Sequence, residues 1–332
     1  MKVFQIGICI CSAVVMLFPK GIALGEASPA SISESALAST YPREVISKET
    51  LEDGSLTLST PLAVYGNDEG KSVYLVGAIH IGEKQYYEEL NRRLASYDAV
   101  LFEMVGGETV QRMRELDKKE KDKTIADEER KELIILKNEL VKKREKKGVF
   151  LKLLGGQYEK FSSMLGISMQ QEGIDYSPAH FVHADMTHEE MNNAQKARGE
   201  SMVGWVVAQV VKGLVSPAPR SSFPDISSLF DAMKRGDKML MKRLWIEIMA
   251  TPQKNELLAD TVLLEGRNDK CLEVFDRVVG EKPELKRIGI FYGSAHLPGL
   301  HKKLEKRGYQ LRAVEWITAW KAAPVPSPAP VE

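Results

Sequence analysis

The chain has 332 residues, 43% of them hydrophobic, and its 46 basic residues are balanced by 46 acidic ones. This length and composition can support a sizeable buried core. A formal net charge of zero gives no electrostatic reason to expect nucleic acid or an anionic membrane as a partner.

The N-terminus has the pattern of an export signal. Lys2 precedes the apolar run VFQIGICICSAVVMLF, and small residues follow it as far as Gly25. A short basic start, an apolar core and a small-residue exit predict a secretory signal peptide over 1–25. We therefore expect an exported protein, whether periplasmic, extracellular or envelope-associated. A retained anchor is the alternative, although the run is short for a membrane span.

Two further segments flank the predicted folded part. Residues 26–44 are small and polar and indicate a linker, and the Pro-rich tail KAAPVPSPAPVE at 321–332 predicts an extended, disordered end. The folded domain is thus expected over 45–320. After signal cleavage it would hold a single cysteine, Cys271, which excludes an intrachain disulfide.

Short apolar runs alternate with helical patterns along this domain. SLTLST and LAVYG predict a hairpin that leads into SVYLVGAIH, then a helix over 82–97 and a strand at AVLFEMV. Later strands are predicted at HFVHADM, RIGIFYG and QLRAVEW, separated by helical sequence. This alternation predicts an α/β fold with a mixed, largely parallel central sheet flanked by helices.

Two regions interrupt the alternation. The charged insertion at about 108–147 mixes both charge signs and predicts solvated helices with local ion pairs, anchored by LIIL at 133–136; a lid or partner surface is the alternative. The apolar stretch 201–216 contains Gln209 and Lys212 and is too short to span a bilayer. It predicts a buried or amphipathic helix, with reversible membrane contact as an alternative.

Four predicted strands end in residues that can do chemistry. SVYLVGAIH ends in Gly-Ala-Ile-His at His80, and RIGIFYG leads into Gly-Ser-Ala-His at His296; the strands between them carry Glu103 and Asp185. Ligands gather at the carboxyl ends of parallel strands. The four side chains are therefore expected to face one crevice.

This set of side chains indicates a metal-dependent or acid–base site. Imidazoles and a carboxylate are ligands that zinc and other first-row divalent ions prefer. A bound ion would acidify a water and polarise a carbonyl, which favours hydrolysis.

A third cluster lies in LLEGRN, where Glu265, Arg267 and Asn268 fall within one helical turn. Arg267 is a candidate to stabilise an oxyanion or to hold a substrate carboxylate. A capping and salt-bridge arrangement between helices is the alternative. Tyr292, beside the second Gly-x-x-His motif, is a candidate hydrogen-bond donor in a core strand.

The segments VYLVGAIHIG, AVLFEMVGG, FVHADMT, LLEGRN and FYGSAHLPGL occur in an order that resembles the TraB/PrgY/GumN family, which includes Tiki-like proteins and is related to ChaN-like and erythromycin-esterase-like proteins. The resemblance covers about 70–320. It implies metal ligands at His80, Glu103 and His296, a matching Arg-Asn element at Arg267 and Asn268, and manganese- or cobalt-like ions.

The leading hypothesis from the sequence is an exported metal-dependent hydrolase that cleaves peptide bonds in a peptide or protein substrate. A divalent ion (Mn, Co or Zn) would bind His80, Glu103 and His296, with Asp185 as base or ligand-orienting group. Two alternatives stay open. One is a metal-independent esterase with a histidine general base, and the other is a non-catalytic protein that sequesters a peptide or haem.

Overall fold

The structure is a computed structural model that describes residues 45–145, 165–200, 226–250 and 260–324. Its strands, in chain order β1 to β9, are Ser47–Thr50, Leu56–Gly66, Ser72–Ala78, Ile81–Glu83, Ala99–Phe102, Ile167–Met169, Phe181–His183, Arg287–Gly293 and Gln310–Ala322. Its helices, α1 to α9, are Lys84–Leu94, Gly107–Lys121, Asp127–Glu145, Gln170–Gly173, His188–Ala197, Ile226–Arg235, Lys238–Ala250, Arg267–Glu281 and Leu297–Glu305. A π-helical turn, Val262–Gly266, precedes α8, and a 3-10 turn, Ser294–His296, precedes α9.

Seven of these strands form one mixed sheet. Its central part runs in the order β3-β8-β5-β7 with every neighbouring pair parallel, and β2 joins antiparallel beside β3. Strand β9 pairs antiparallel along β2, and β1 pairs with the first residues of β2. The predicted α/β class with a mixed, largely parallel sheet is confirmed.

The predicted hairpin between SLTLST and LAVYG is wrong. Both runs belong to the single strand β2, which continues through Pro61. Pro61 lies opposite Trp316 of β9, and on the other side of β2 it falls between Ser59, the last residue paired with β1, and Leu62, the first paired with β3. A proline is tolerated at such an interruption of strand pairing. The hairpin partner of β2 is instead β3, whose Val76 lies opposite Leu62.

Both faces of the sheet are covered by apolar side chains. On β3, Leu75 faces the core that contains α8 and α9, whereas Val76 faces the core that contains α1 and α7. On β8, Ile290 and Phe291 divide in the same way. Burial on both faces explains the near-continuous apolar strands, since each side chain removed from water stabilises the fold by about 1.5–3 kcal/mol.

The charged insertion forms the helical pair α2 and α3, as predicted for its described part. Ion pairs join the two helices, including Arg112 to Glu132 at 2.7 Å. Of the LIIL anchor, Leu133 is buried, but Ile134 and Ile135 are 53% and 58% exposed. Of Leu133, Ile134 and Ile135, therefore, only Leu133 anchors helix α3 in the core.

Several predicted segments lie outside the described residues: the signal peptide at 1–25, the linker at 26–44, and the stretch 201–216. The predicted tail starts two residues too early, because Lys321 and Ala322 belong to β9 and pair with Thr57 and Leu56. In the parts of the chain that the structure describes, no helix is both long and apolar enough to cross a membrane.

Candidate functional site

The four predicted strand ends meet at one edge of the sheet. In the parallel register Ala78 lies opposite Gly293, Phe102 opposite Phe291, and Phe102 also opposite His183. The residues that follow these positions therefore emerge together at the carboxyl end of the sheet. This arrangement places Glu103, Asp185 and the two Gly-x-x-His motifs around one point.

The glycine of the first motif allows the two motifs to approach each other. A Cβ at Gly77 would lie 2.9 Å from the Ser294 hydroxyl of the second motif and 2.9 Å from the carbonyl oxygen of Pro61. Ser294 in turn donates to the carbonyl of Ala78 at 3.2 Å. The serine thus has a bonding role between adjacent strands.

The backbone that carries His80 is fixed by a series of hydrogen bonds. Side chains donate to three successive carbonyls: Tyr86 to Gly77, Ser294 to Ala78, and Tyr87 to Ile79. The His80 carbonyl accepts from the backbone N–H of Gln170, and the Ile81 carbonyl from the Trp320 indole. Such support preorganises the histidine.

Arg267 is the centre of a buried ionic cluster. Its Nε donates to Asp185 Oδ1 at 2.9 Å, and its Nη2 donates to Asp185 Oδ2 at 2.6 Å and to Glu103 Oε1 at 2.5 Å. The second oxygen of Glu103 accepts from the backbone N–H of Gly293. Arg267 is 2% exposed, Asp185 2% and Glu103 8%, so water screens these charges little.

Burial and the neighbouring charges together shift the pKa values of Glu103 and Arg267. Burial raises the pKa of Glu103, but the Arg267 guanidinium together with His296 and His80 outweighs this effect and holds that pKa well below its usual range. Burial would lower the pKa of Arg267, but Asp185 and Glu103 outweigh it and raise that pKa. With both imidazoles neutral, two carboxylates and one guanidinium give the cluster a formal charge of one negative unit.

Asn268 fixes the tautomer of His296. Its amide nitrogen donates to the His296 carbonyl at 3.4 Å, so its amide oxygen faces the ring and accepts from Nδ1 at 2.8 Å. A neutral ring then has a bare Nε2. Arg267 Nη1 lies 3.3 Å from Nε2 and can donate to it, and Glu103 Oε1 lies 3.5 Å away.

His80 follows the end of β3, where Ala78 lies opposite Gly293, so it emerges beside the second Gly-x-x-His motif. Burial lowers the pKa of His80, and the Glu103 carboxylate offsets only part of that effect. Its Nδ1 lies 3.1 Å from the amide oxygen of Gln170. The structure therefore groups His80 with the predicted residues Glu103, Asp185, Arg267, Asn268 and His296.

Sequence reasoning missed Gln170 and left Tyr292 undecided. Gln170 stands about 90 residues from His80 in a segment without a strong pattern, and only the pairing of β4 with β6 brings it close. Tyr292 donates to the carbonyl of Ala184, next to Asp185, and its ring packs edge-on against His296. Tyr292 thus contacts His296 directly and also holds the backbone next to Asp185.

The metal ligation of His80, Glu103 and His296 stays a prediction. Among the described residues, no group of three or more His, Cys, Asp or Glu side chains is already arranged to hold a metal ion. Arg267 lies against both Glu103 and His296. The predicted contact of Arg267 with an oxyanion or a substrate carboxylate also stays a prediction, because its donors face residues of the protein.

Comparisons of the chain with models of protein families, with curated proteins and with solved structures find no match. The resemblance to the TraB/PrgY/GumN family therefore stays a prediction from the motifs. The class that the fold and the site define is an α/β protein with a buried histidine–arginine–carboxylate cluster at the carboxyl edge of its parallel strands.

Proposed function

We propose that this protein is a hydrolase and that its reaction centre is the buried cluster with His80. One observation carries the proposal. His80 and His296 each have Nδ1 against a side-chain amide oxygen, and both follow strands that end at the same sheet edge as the strands before Glu103 and Asp185. Imidazoles oriented in this way can serve as metal ligands or as general bases.

The leading form of the proposal includes a divalent ion bound by His80, Glu103 and His296. The donor chemistry fits, since two imidazole nitrogens and a carboxylate suit zinc, manganese or cobalt. The surplus negative charge also favours a cation. The ion would supply Lewis-acid activation of a carbonyl and an acidified water.

The protein's own residues have distinct roles in this form. Asp185 holds the guanidinium of Arg267 through two hydrogen bonds, so Arg267 can remain anchored if Glu103 Oε1 turns to another cation. Asn268 accepts from the Nδ1 of His296, so a neutral ring presents an unprotonated Nε2. A peptide or protein substrate and an exported location are proposed from the motif resemblance and from the sequence of 1–25.

A second form needs no metal, and the position of Glu103 beside His296 favours it. Arg267 Nη1 lies 3.3 Å from the Nε2 of His296 and would first have to release that nitrogen, because a guanidinium that donates to Nε2 occupies its lone pair. That nitrogen could take a proton from a water that attacks an ester carbonyl. The resulting imidazolium would face Glu103 Oε1, which now lies 3.5 Å away, and this pairing would stabilise it.

The test combines metal analysis with hydrolysis assays on a panel of peptides and esters. We expect bound divalent metal, loss of hydrolysis with a chelator, and loss in His80→Ala and His296→Ala. His180→Ala is the matched control, because that ring bonds the Leu94 carbonyl at the opposite end of its strand.

The results of these assays distinguish the metal-dependent hydrolase, the general-base hydrolase and the non-catalytic protein. Hydrolysis that resists a chelator but is lost in His296→Ala supports the general-base form. Intact peptides and esters after long incubation with metal-loaded protein contradict a hydrolase and support a sequestering protein. Activity that survives both histidine substitutions contradicts the assigned site.

A further inference from the structure

Gln170 lies directly beside His80 although the two are far apart in sequence. Strand β4 pairs antiparallel with β6, with Ile81 opposite Met169. His80 directly precedes β4 and Gln170 directly follows β6, so the same register places these two residues opposite each other. The glutamine is 6% exposed, which is uncommon for this residue type without a specific set of partners.

The glutamine contacts His80 through both its backbone and its side chain. Its N–H donates to the His80 carbonyl at 2.9 Å, and its Oε1 lies 3.1 Å from the His80 Nδ1. Its amide nitrogen donates to the hydroxyl of the buried Tyr176 at 3.0 Å. Because a carbonyl oxygen only accepts, this orientation requires a proton on Nδ1, and a neutral ring then has a bare Nε2.

His296 has the same arrangement, a side-chain amide oxygen against Nδ1, although different elements of the fold provide it. There Asn268, on α8, accepts from the Nδ1 of His296 at 2.8 Å. Both partners are neutral amides. A carboxylate in either place would add to the surplus negative charge of Glu103 and Asp185, whereas an amide fixes the tautomer without adding charge.

We infer that Gln170 is a positioning residue that holds His80 as the Nδ1–H tautomer, with Nε2 available as a base or a metal ligand. The use of that Nε2 in catalysis rests on the proposed function. The tautomer itself does not, and it can be read without substrate or metal.

The test is long-range 1H–15N correlation on the purified protein labelled with 15N-histidine, with the His80 signals identified from their loss in His80→Gln. We expect Nδ1–H and bare Nε2 for His80 in the wild type. Gln170→Met is close in size but has no acceptor, so the His80 proton should shift toward Nε2. Gln170→Glu keeps an acceptor and should retain the Nδ1–H form.

His296 is the internal control in every spectrum. It should not change in Gln170→Met, whereas Asn268→Leu should alter His296 and leave His80 unchanged. If the protein hydrolyses a substrate, Gln170→Met should lower kcat by about 10–100-fold, with partial recovery in Gln170→Glu.

A wild-type His80 with its proton on Nε2 overturns the inference, since it requires the opposite amide orientation. So does a folded Gln170→Met variant with an unchanged His80 tautomer. If Gln170→Met does not fold, the His80 tautomer in the wild type and in Gln170→Glu still tests the inference. Absence of hydrolysis together with the expected tautomers would contradict the proposed function alone.

Discussion

At the residue scale, Arg267 determines the character of the site. One guanidinium forms ion pairs with two buried carboxylates and also contacts a histidine. A planar group with several fixed donors suits this role, and a lysine ammonium could not reproduce the paired bonds to Asp185. The same residue therefore supports the fold and limits where another cation can bind.

Replacing Arg267 by methionine should be strongly destabilising. The substitution leaves Glu103 and Asp185 buried without their counter-charge, and breaking a buried pair in this way costs about 3–5 kcal/mol. The free energy of unfolding from urea denaturation measures the effect. Arg92→Met is the matched control: its pair with Glu89 is more exposed, so a loss of at most about 1 kcal/mol is expected. Equal stability of the two variants would contradict the cluster as described.

Protonation of His80 should make stability depend on pH. Burial places its folded-state pKa below the unfolded value of 6.5. The unfolded chain then binds the proton first as pH falls, so the folded state loses stability on acidification through that range. Between about pH 7 and pH 5 we expect the wild type to lose more stability than His80→Gln. Parallel curves of unfolding free energy against pH would refute this.

At the scale of elements, the pairing of β3 with β8 brings the two Gly-x-x-His motifs together. The sequence predicted both strands and the common edge, because parallel strands present their carboxyl ends on the same side. It did not predict the interlock in which Ser294 bonds the Ala78 carbonyl and Gly77 leaves room for Ser294. Such contacts depend on the one-residue offset in register, with Ala78 opposite Gly293.

Gly77→Ala should therefore destabilise the protein by about 1–3 kcal/mol through overpacking. The added methyl would meet the Pro61 carbonyl, which cannot move as a free side chain can. Gly280→Ala, on helix α8 with no atom within 4 Å of the added Cβ, is the control and should stabilise by about 0.5–1 kcal/mol. Thermal and urea unfolding compare the two. A neutral Gly77→Ala would show that the strands can separate at this point.

At the scale of the whole molecule, the last strand supports the first motif. Strand β9 pairs along β2, and from it the indole of Trp320 donates to the Ile81 carbonyl at 2.7 Å, next to His80. Residues about 240 positions apart thus fix the same loop. Strand β9 therefore extends the sheet and also holds the backbone next to His80 in place.

Trp320→Phe should cost about 1–3 kcal/mol, since it leaves the Ile81 carbonyl without this donor while keeping an aromatic ring in the core. Trp316→Phe is the control on the same strand, because that ring is 40% exposed and its replacement should stay within about 0.5 kcal/mol. Amide hydrogen exchange at Ile81 and Gly82 should accelerate in Trp320→Phe alone. Equal exchange in both variants would contradict a link between β9 and the His80 loop.

The sequence by itself determined the α/β class, most strands, and the set of side chains at the sheet edge. These follow from local patterns: apolar runs of strand length, and polar residues directly after them. Only the tertiary structure decided that Arg267 lies between Glu103, Asp185 and His296, and that Gln170 adjoins His80. Those contacts depend on pairing and register over large sequence separations, which no local pattern of residues encodes.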